Sequence, residues 1–474
     1  MEVLLSLPCL LRTNGEKGHS MAAPVTNHKL EAAITDAEIT FDGLARGVVM
    51  VAAEVGIHLR TNPSTVHKWL RGADPDGDTP AFICEALFRR TGRSYTPAEL
   101  GLRSVEESDP GLGLTIGPDP VGVLARVWRA DLDRRKFLAA SAFSVAAMHL
   151  PLEYVQENAE RTAAVRRGSV AGTAEVAAVR DMISMFTEID ERHGGQHGRS
   201  ALIQYLHSDV AALCRGTFRT HEDRQQMLSA AAVGVHLAGW KAYDAGEQGL
   251  AQRYYHQSYA LAVESGVVGH DAFVLRTLAQ QGMRLHHPTK TIALSDTALS
   301  RVVGRVDAAT EALFTVTHAH GLASTNQRRA AVQAVQRARD LLDAADTDDM
   351  PYWARSWGPA RATVNSRSAK VFSRLGDRKG AAENYAAAAA TRPAGTYARI
   401  QALDLVAQAK MELADGGIEQ ACGTWHRALD SMAGVRSVRT RRAVLEMRKN
   451  LAQFKIRGIS AAQELDERAA VFLV

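Results

Sequence analysis

The residues between 58 and 72 combine side chains of the types that contact nucleic acids. Ser64, Lys68 and Arg71 stand at i, i+4 and i+7, so a helix would carry them on one side. Short polar side chains can reach base edges, lysine and arginine neutralise phosphates, and arginine can form two hydrogen bonds to guanine. The predicted contacts to double-stranded DNA are Arg60 (on the phosphate backbone), Ser64, Thr65, His67, Lys68 and Arg71.

A short helix must hold these side chains in place. Asn62 and Pro63 supply a side-chain cap and a first-position proline, which predict that a helix begins here. Val66, Trp69 and Leu70 fall on another side of that helix and would pack against the preceding helix. A packed seam with polar residues opposite it is the layout of a recognition helix.

The charge of this region leaves a second interpretation open. Across residues 27–104 acidic side chains slightly outnumber basic ones, and many DNA-binding domains are more basic. Any solvated helix also shows polar residues opposite an apolar seam. The alternative is a helical module that binds no DNA, within a scaffold or signalling protein that acts through protein partners.

Composition along the chain predicts a division into domains. Residues 27–104 show four short helical patterns and are predicted to form the DNA-binding head. Residues 105–120 are rich in glycine, proline and acid, which is typical of a linker. We expect connecting helices over residues 121–165 and a helical repeat domain over residues 170–474.

The N-terminal segment is predicted to lie outside the folded protein. We expect residues 1–26 to be disordered or to precede the true start of translation at Met21. The codons for Lys17 and Gly18, just upstream of Met21, could be purine-rich and so serve as a ribosome-binding site.

The predicted repeat domain contains a motif that recurs along the chain. A turn glycine is followed by a small residue five positions later and by an aromatic residue four beyond that. In a helix hairpin the glycine ends the first helix, the small residue allows close approach, and the aromatic residue fills the groove between neighbours. Three copies and a weaker fourth are Gly246/Ala251/Tyr255, Gly376/Ala381/Tyr385, Gly416/Ala421/Trp425 and Asn326/Ala331/Val335.

One helix of this domain offers a face for a partner. Ahead of Gly376, the residues Arg361, Asn365 and Ser368 lie on one side of a predicted helix. The inner faces of helical solenoids bind extended peptides through such polar side chains. We therefore expect a peptide or protein effector here.

We also expect the repeats to form a homodimer, because one small head makes few contacts with DNA.

The composition argues against several classes of protein. The 474 residues carry 56 lysines and arginines against 52 acids, so a net charge of +4 argues against a polybasic nucleic-acid coat. Four distant cysteines provide neither a disulfide framework nor zinc-ligand spacing. Without GxSxG, GxxxxGK(S/T) or HExxH motifs, we expect no enzymatic activity, no metal and no cofactor. No apolar run could span a membrane, and we expect a cytoplasmic protein with no membrane partner.

The chain resembles a group of actinobacterial regulators, the NsdA-type regulators, over most of residues 27–455. The resemblance depends on residues in the head, on the DRRKFL segment at 133–138, on a hairpin at 239–262 and on a helical pair near 434–454. The head residues are Ser64, Thr65, Val66, Trp69, Leu70, Gly72, Arg89, Arg90 and Arg93. This resemblance implies an all-α transcriptional regulator, with an N-terminal helix-turn-helix domain followed by a tetratricopeptide-like α-solenoid.

Overall fold

The computed structural model describes residues 27–54, 57–77, 79–91, 93, 95–102, 112–114, 119–139, 170–393 and 395–473. These residues form an all-α fold of the helical-repeat, solenoid-like type, which confirms the predicted fold class. They divide into two units, Met1–Pro110 and Gly111–Val474. No described helix is long and apolar enough to cross a membrane. The predicted N-terminal segment 1–26, most of the predicted linker 105–120, and residues 140–165 lie outside the described residues.

The first unit is built of four short helices. They are α1 (His28–Asp36), α2 (Phe41–Glu54), α3 (Pro63–Leu70) and α4 (Thr79–Thr91). Asn27 caps α1, because its side-chain oxygen accepts a hydrogen bond from the backbone N–H of Leu30 at 3.0 Å. The backbone N–H of Asn27 also donates to the Leu70 carbonyl at 2.9 Å, which links α1 to the end of α3. Apolar side chains at helical spacing form the core, including the fully buried Leu30, Leu44, Val48, Val66, Ile83, Leu87 and Leu100.

The second unit begins with a mixed segment and continues as helix pairs. The first elements are α5 (Pro120–Ala139), β1 (Val170–Ala171), α6 (Thr173–His193), α7 (Arg199–Tyr205), a π-helical turn (Leu206–Val210), α8 (Ala211–Cys214) and β2 (Thr217–Phe218). The strands β1 and β2 pair in parallel, with Val170 opposite Thr217. The paired helices are α9 (His221–Asp244), α10 (Gln248–Ser265), α11 (His270–Arg284), α12 (Pro288–Ser300), α13 (Ala308–Ser324), α14 (Arg328–Asp343), α16 (Ala360–Arg374), α17 (Arg378–Thr391), α18 (Ala398–Ala414), α19 (Ile418–Ser431), α20 (Val438–Ile456) and α21 (Ser460–Leu473). Between α14 and α16 lie a 3₁₀ turn (Thr347–Asp349) and the short helix α15 (Tyr352–Arg355).

Each helix pair turns at one residue with positive φ, two positions before the second helix begins. The six turn residues are Gly246, His286, Asn326, Gly376, Gly416 and Gly458. At each turn the following residue donates its N–H to the carbonyl five positions back, as Glu247 does to Ala242 at 2.9 Å. This is the Schellman ending of a helix, which favours glycine or asparagine at the turn. The predicted turns at Gly246, Asn326, Gly376 and Gly416 are confirmed.

The small and large residues of the predicted motif pack between paired helices. The small residue five positions after the turn is fully buried in every predicted copy, at Ala251, Ala331, Ala381 and Ala421. The next position of the motif is also buried, at Tyr255, Val335, Tyr385 and Trp425. The turn at His286 is followed at the same offsets by the buried Thr291 and Ser295, so this hairpin is a further copy that the glycine pattern misses.

Helix α5 belongs to the core of the second unit. Its side chains Val121, Leu124 and Trp128 are buried in the same cluster as residues of α6, α9 and α10. Asp131 accepts hydrogen bonds from Arg199 at 3.1 Å and from the Tyr254 hydroxyl at 2.7 Å. This part of the predicted connecting region therefore packs tightly on the repeats. The DRRKFL segment lies in the last part of α5, and its side chains are outside the described ones.

A buried network of charges joins α6, α9 and α18. Asp190 of α6 accepts a hydrogen bond from the ammonium of Lys241 at 3.0 Å and one from the guanidinium of Arg399 at 2.6 Å. Arg399 also lies 3.5 Å from Asp244, and all four side chains are 0% exposed. Burial acts to raise the pKa of Asp190, but Arg399 and Lys241 outweigh it and hold that pKa below its ordinary value.

The backbone closes the same junction beside these charges. The N–H of Arg436 donates to the carbonyl of His193 at 2.8 Å, and the Ser437 hydroxyl donates to Asp244 at 2.9 Å. Gly194 has a φ of +91°, and a Cβ there would lie 2.3 Å from the Arg436 carbonyl oxygen. Glycine is therefore required at this close approach. The early helices and the late helices of the second unit meet at this junction.

Replacing Arg399 by alanine should destabilise the second unit by about 3–5 kcal/mol, because Asp190, Asp244 and Glu191 would remain buried without their shared cation. Urea unfolding followed by circular dichroism measures this loss.

The matched control is Arg329→Ala on α14, where the arginine is exposed. Its free energy of unfolding should change by less than about 0.5 kcal/mol. Equal stabilities of the two variants would contradict the role given to Arg399.

Candidate functional sites

Helix α3 is capped at its start and packed along one side. The side-chain oxygen of Asn62 accepts a hydrogen bond from the backbone N–H of Thr65 at 3.0 Å, and Pro63 occupies the first turn. Val66, Trp69 and Leu70 are buried in the core of the first unit. The predicted cap and seam are confirmed, so α3 is held in one orientation relative to α2.

The six predicted DNA contacts occupy different environments. Exposed side chains are those of Arg60, Ser64, His67, Lys68 and Arg71. Thr65 is half-buried, and its hydroxyl donates to Asn62 at 3.2 Å, so its side chain serves the cap. The His67 ring packs edge-on against Phe41, with 4.5 Å between the ring centroids. Ser64 and Lys68 of α3, together with Arg71 directly after the helix, therefore form its open polar side.

The second unit contains a cavity of about 470 Å³ that is lined mainly by the first helices of its helix pairs. Its walls come from α9, α11, α16, α18 and α20, among other elements. Aromatic side chains form part of the wall, where Trp240 stacks on Tyr243 with 5.3 Å between ring centroids. The guanidinium of Arg439 lies over both rings, 5.6 Å from the centroid of Trp240 and 5.2 Å from that of Tyr243.

The charge of the cavity wall is strongly positive. Eight arginine and lysine side chains line it, against three carboxylates. Among them, Arg276 of α11 and both Arg367 and Lys370 of α16 converge from helices that are distant in sequence. A cavity of this volume is typical of a binding site for a small molecule.

The side chains predicted to bind a partner lie away from this cavity. Arg361 is exposed and pairs with Asp343 of α14 at 3.0 Å. Ser368 is fully buried, and Asn365 is half-buried. Arg361, Asn365 and Ser368 do not line the cavity, which another side of α16 faces through Arg367 and Lys370.

Sequence reasoning missed the cationic residues of the cavity. Arg367 and Lys370 stand three residues apart in one helix, and this spacing places them on one side. That signal was available, but Arg276 precedes them by about ninety residues and has no local pattern that connects it to them.

His236 lies in the wall of the cavity and is held neutral. Its Nε2 is 2.8 Å from the hydroxyl oxygen of Thr277, whose own proton is donated to the Phe273 carbonyl. Burial, and then the nearby His270 and Arg276, lower the pKa of His236 to about 3.

Comparison with known families gives a result for the first unit. Residues 30–103 match the model of the SP15 N-terminal domain. The matched segment includes all of α2, α3 and α4, and therefore the six predicted DNA contacts. A comparison with curated proteins finds no significant match. In the described part of the chain, no group of three or more His, Cys, Asp or Glu side chains is placed to hold a metal ion.

The neutral state of His236 predicts a pH-dependent stability. Its pKa is lower in the folded protein than in the unfolded chain, so its contribution is complete above about pH 6.5 and is lost as the pH falls towards 3. Between pH 7 and pH 5, the free energy of unfolding should fall by about 2 kcal/mol more in the wild type than in His236→Gln.

Urea titrations at pH 7, 6 and 5 provide the measurement. His221→Gln, which changes an exposed histidine at the start of α9, is the control and should keep the wild-type dependence. If His236→Gln shows the same pH dependence as the wild type, the histidine is not held neutral.

Proposed function

We propose that this chain is a cytoplasmic, sequence-specific DNA-binding transcriptional regulator without enzymatic activity. In this proposal the first unit is a helix-turn-helix domain. The second unit is a tetratricopeptide-like repeat domain that mediates dimerisation and binds an effector or partner. The observation that carries the proposal is the geometry of α3, with a buried seam on one side and Ser64, Lys68 and Arg71 open on another.

The rigidity of α3 supports a recognition role. A helix that reads base edges must present its side chains from a fixed backbone, since each contact depends on hydrogen-bond geometry. The Asn62 cap and the buried Trp69 provide this fixed position. Lys68 and Arg71 add charge for phosphate contacts, and the exposed Arg60 precedes the helix in the connection from α2.

The resemblance to NsdA-type regulators supports the same assignment. The residues that carry it in the head include Trp69 and Leu70, which form the seam of α3, and Arg89 and Arg90 in α4. The helix hairpins of the second unit agree with the repeat domain that the resemblance implies. In this interpretation, the exposed side of α16 with Arg361 and Asn365 offers a further surface for a peptide or protein.

A second candidate function is a scaffold or signalling protein that binds no DNA. It is favoured by the balance of charge in the head, where acidic side chains slightly outnumber basic ones over residues 27–104. The two functions differ in the salt dependence of DNA binding, because phosphate contacts release counterions and the affinity then falls steeply with ionic strength.

The double variant Lys68→Ala/Arg71→Ala should lose sequence-specific DNA binding. A selection of genomic fragments with the full chain identifies the preferred sequence, and fluorescence anisotropy then measures the affinity at several salt concentrations. We expect the variant to bind this sequence at least about tenfold more weakly, with a salt slope smaller by about 2, because two phosphate contacts are removed.

The control is Arg329→Ala/Lys379→Ala, which removes the same charge from exposed positions of the second unit. It should bind DNA as the wild type does. If the folded wild type enriches no sequence at low salt, or if both double variants lose affinity equally, α3 is not a recognition helix and the scaffold function is favoured.

We also expect the full chain to form a homodimer. Specific protein–DNA interfaces that use one small head bury little surface, and two half-sites raise both affinity and specificity. Sedimentation equilibrium should give twice the 51.3 kDa mass of one chain. A selected DNA sequence with two inverted half-sites would agree with this result, and a monomer bound to a single site would contradict it.

A further inference from the structure

The carboxylates of the cavity in the second unit already have basic partners. Asp404 forms a buried ion pair with Arg392, and it also accepts a hydrogen bond from Ser366. Glu446 pairs with Lys410 at 2.6 Å. The third carboxylate, Glu191, belongs to the buried network at 3.4 Å from Arg399. These carboxylates therefore form no ion pair with Arg276, Arg367 or Lys370 among the described residues.

Arg276, Arg367 and Lys370 are among the cations of the wall that form no ion pair with a described carboxylate. The Nε of Arg276 donates at 3.0 Å to the Leu313 carbonyl and to the Thr317 hydroxyl, both of which are neutral. Among the described residues, none accepts a hydrogen bond from the two terminal nitrogens of Arg276 or from the ammonium of Lys370. Arg367 donates to the side-chain oxygen of Gln280, another neutral group.

The charge of Arg367 opposes the charges of Arg276 and Lys370. Burial, and then the charge of Arg367, lower the pKa of Arg276 to about 9. Burial, and then the charge of Arg367, also lower the pKa of Lys370 well below its ordinary range, which the carboxylate of Asp404 offsets only in part. A buried or half-buried charge without a close partner is unfavourable, and a bound anion would supply the opposite charge.

A buried hydrogen-bond donor lies beside the cations. The side-chain nitrogen of Gln280 has no hydrogen-bond partner among the described residues, although its oxygen accepts from Arg367. Nδ1 of His320, which also lines the cavity, is buried without a partner in the same part of the chain. Buried polar atoms are normally hydrogen-bonded, so such atoms in a cavity wall indicate a missing acceptor or donor.

We propose that this cavity binds a small organic anion whose carboxylate or phosphate oxygens accept hydrogen bonds from Arg276, Arg367, Lys370 and Gln280. The apolar or aromatic part of the anion packs against the wall that Trp240 and Trp357 help to form. The volume of about 470 Å³ fits a small molecule, for which binding cavities are typically about 300–1,000 Å³. This inference specifies the effector in the proposed function. Anion binding itself does not depend on that function, whereas any effect of the anion on DNA binding rests on it.

Binding is tested on the full chain with two probes, inorganic pyrophosphate for the phosphate group and citrate for the carboxylate. Thermal unfolding and tryptophan fluorescence are followed against sodium chloride at matched ionic strength, because Trp240 and Trp357 line the cavity. We expect at least one probe to quench fluorescence saturably and to raise Tm by roughly 3 °C or more at saturation. The probe that binds more tightly identifies the oxyanion group.

The variants Arg367→Gln and Lys370→Gln separate a ligand-binding role from a structural one. Each should weaken binding of the probe by about tenfold or more, because a charge-assisted hydrogen bond is lost. Without a probe, Lys370→Gln should unfold at a temperature equal to or above that of the wild type, because an uncompensated charge is removed. Lys379→Gln on the exposed start of α17 is the matched control and should bind the probe as the wild type does.

Several results would overturn the proposal. One is the absence of saturable binding of either probe, and another is equal binding by wild type, Lys370→Gln and Lys379→Gln. A hexapeptide of glutamate that binds while both small anions do not would assign the cavity to an acidic peptide instead. Anion binding by a chain that enriches no DNA sequence would uphold this inference and overturn the proposed regulator, so the two failures are distinguishable.

Discussion

The second unit depends on one buried interaction, in which Arg399 donates to Asp190 across 209 residues of the chain. Neither side chain reaches water, so each requires the other and the neighbouring Lys241 and Asp244 to offset the loss of hydration. The network fixes α18 against α6 and α9. These helices and their neighbours also form walls of the cavity, so the junction positions residues that line the cavity.

Two kinds of interaction stabilise this unit, one within each helix pair and one between distant helices. Local hydrogen bonds end one helix and start the next at each Schellman turn, and buried small residues such as Ala251 and Ala381 set the spacing within a pair. These interactions repeat along the chain and do not determine which distant helices contact one another. Those contacts are determined by the charges around Arg399 and by the close approach of Gly194 to Arg436, because both join segments that are remote in sequence.

The treatment of charge differs between the junction and the cavity. At the junction, Arg399 and Lys241 lie beside carboxylates, and the pKa of Asp190 is accordingly lowered. In the cavity, Arg276 and Lys370 have lowered pKa values and form no ion pair with a described carboxylate. A protein that optimised stability alone would replace such groups by apolar or neutral ones. Their retention beside an unpartnered Gln280 nitrogen is the physical basis of the inferred anion site.

The sequence by itself determined the elements whose signals are local. Asn62 and Pro63 predicted the start of α3, and the glycine offsets predicted hairpin turns, because caps and turns depend on neighbouring backbone groups. The hairpin turn at His286 was not predicted, because histidine indicates a positive φ much less strongly than glycine does. Only the tertiary structure decided that α16 turns Lys370, and not Asn365, towards the cavity. Helical periodicity states which residues share a side, whereas packing against neighbouring helices decides what each side meets.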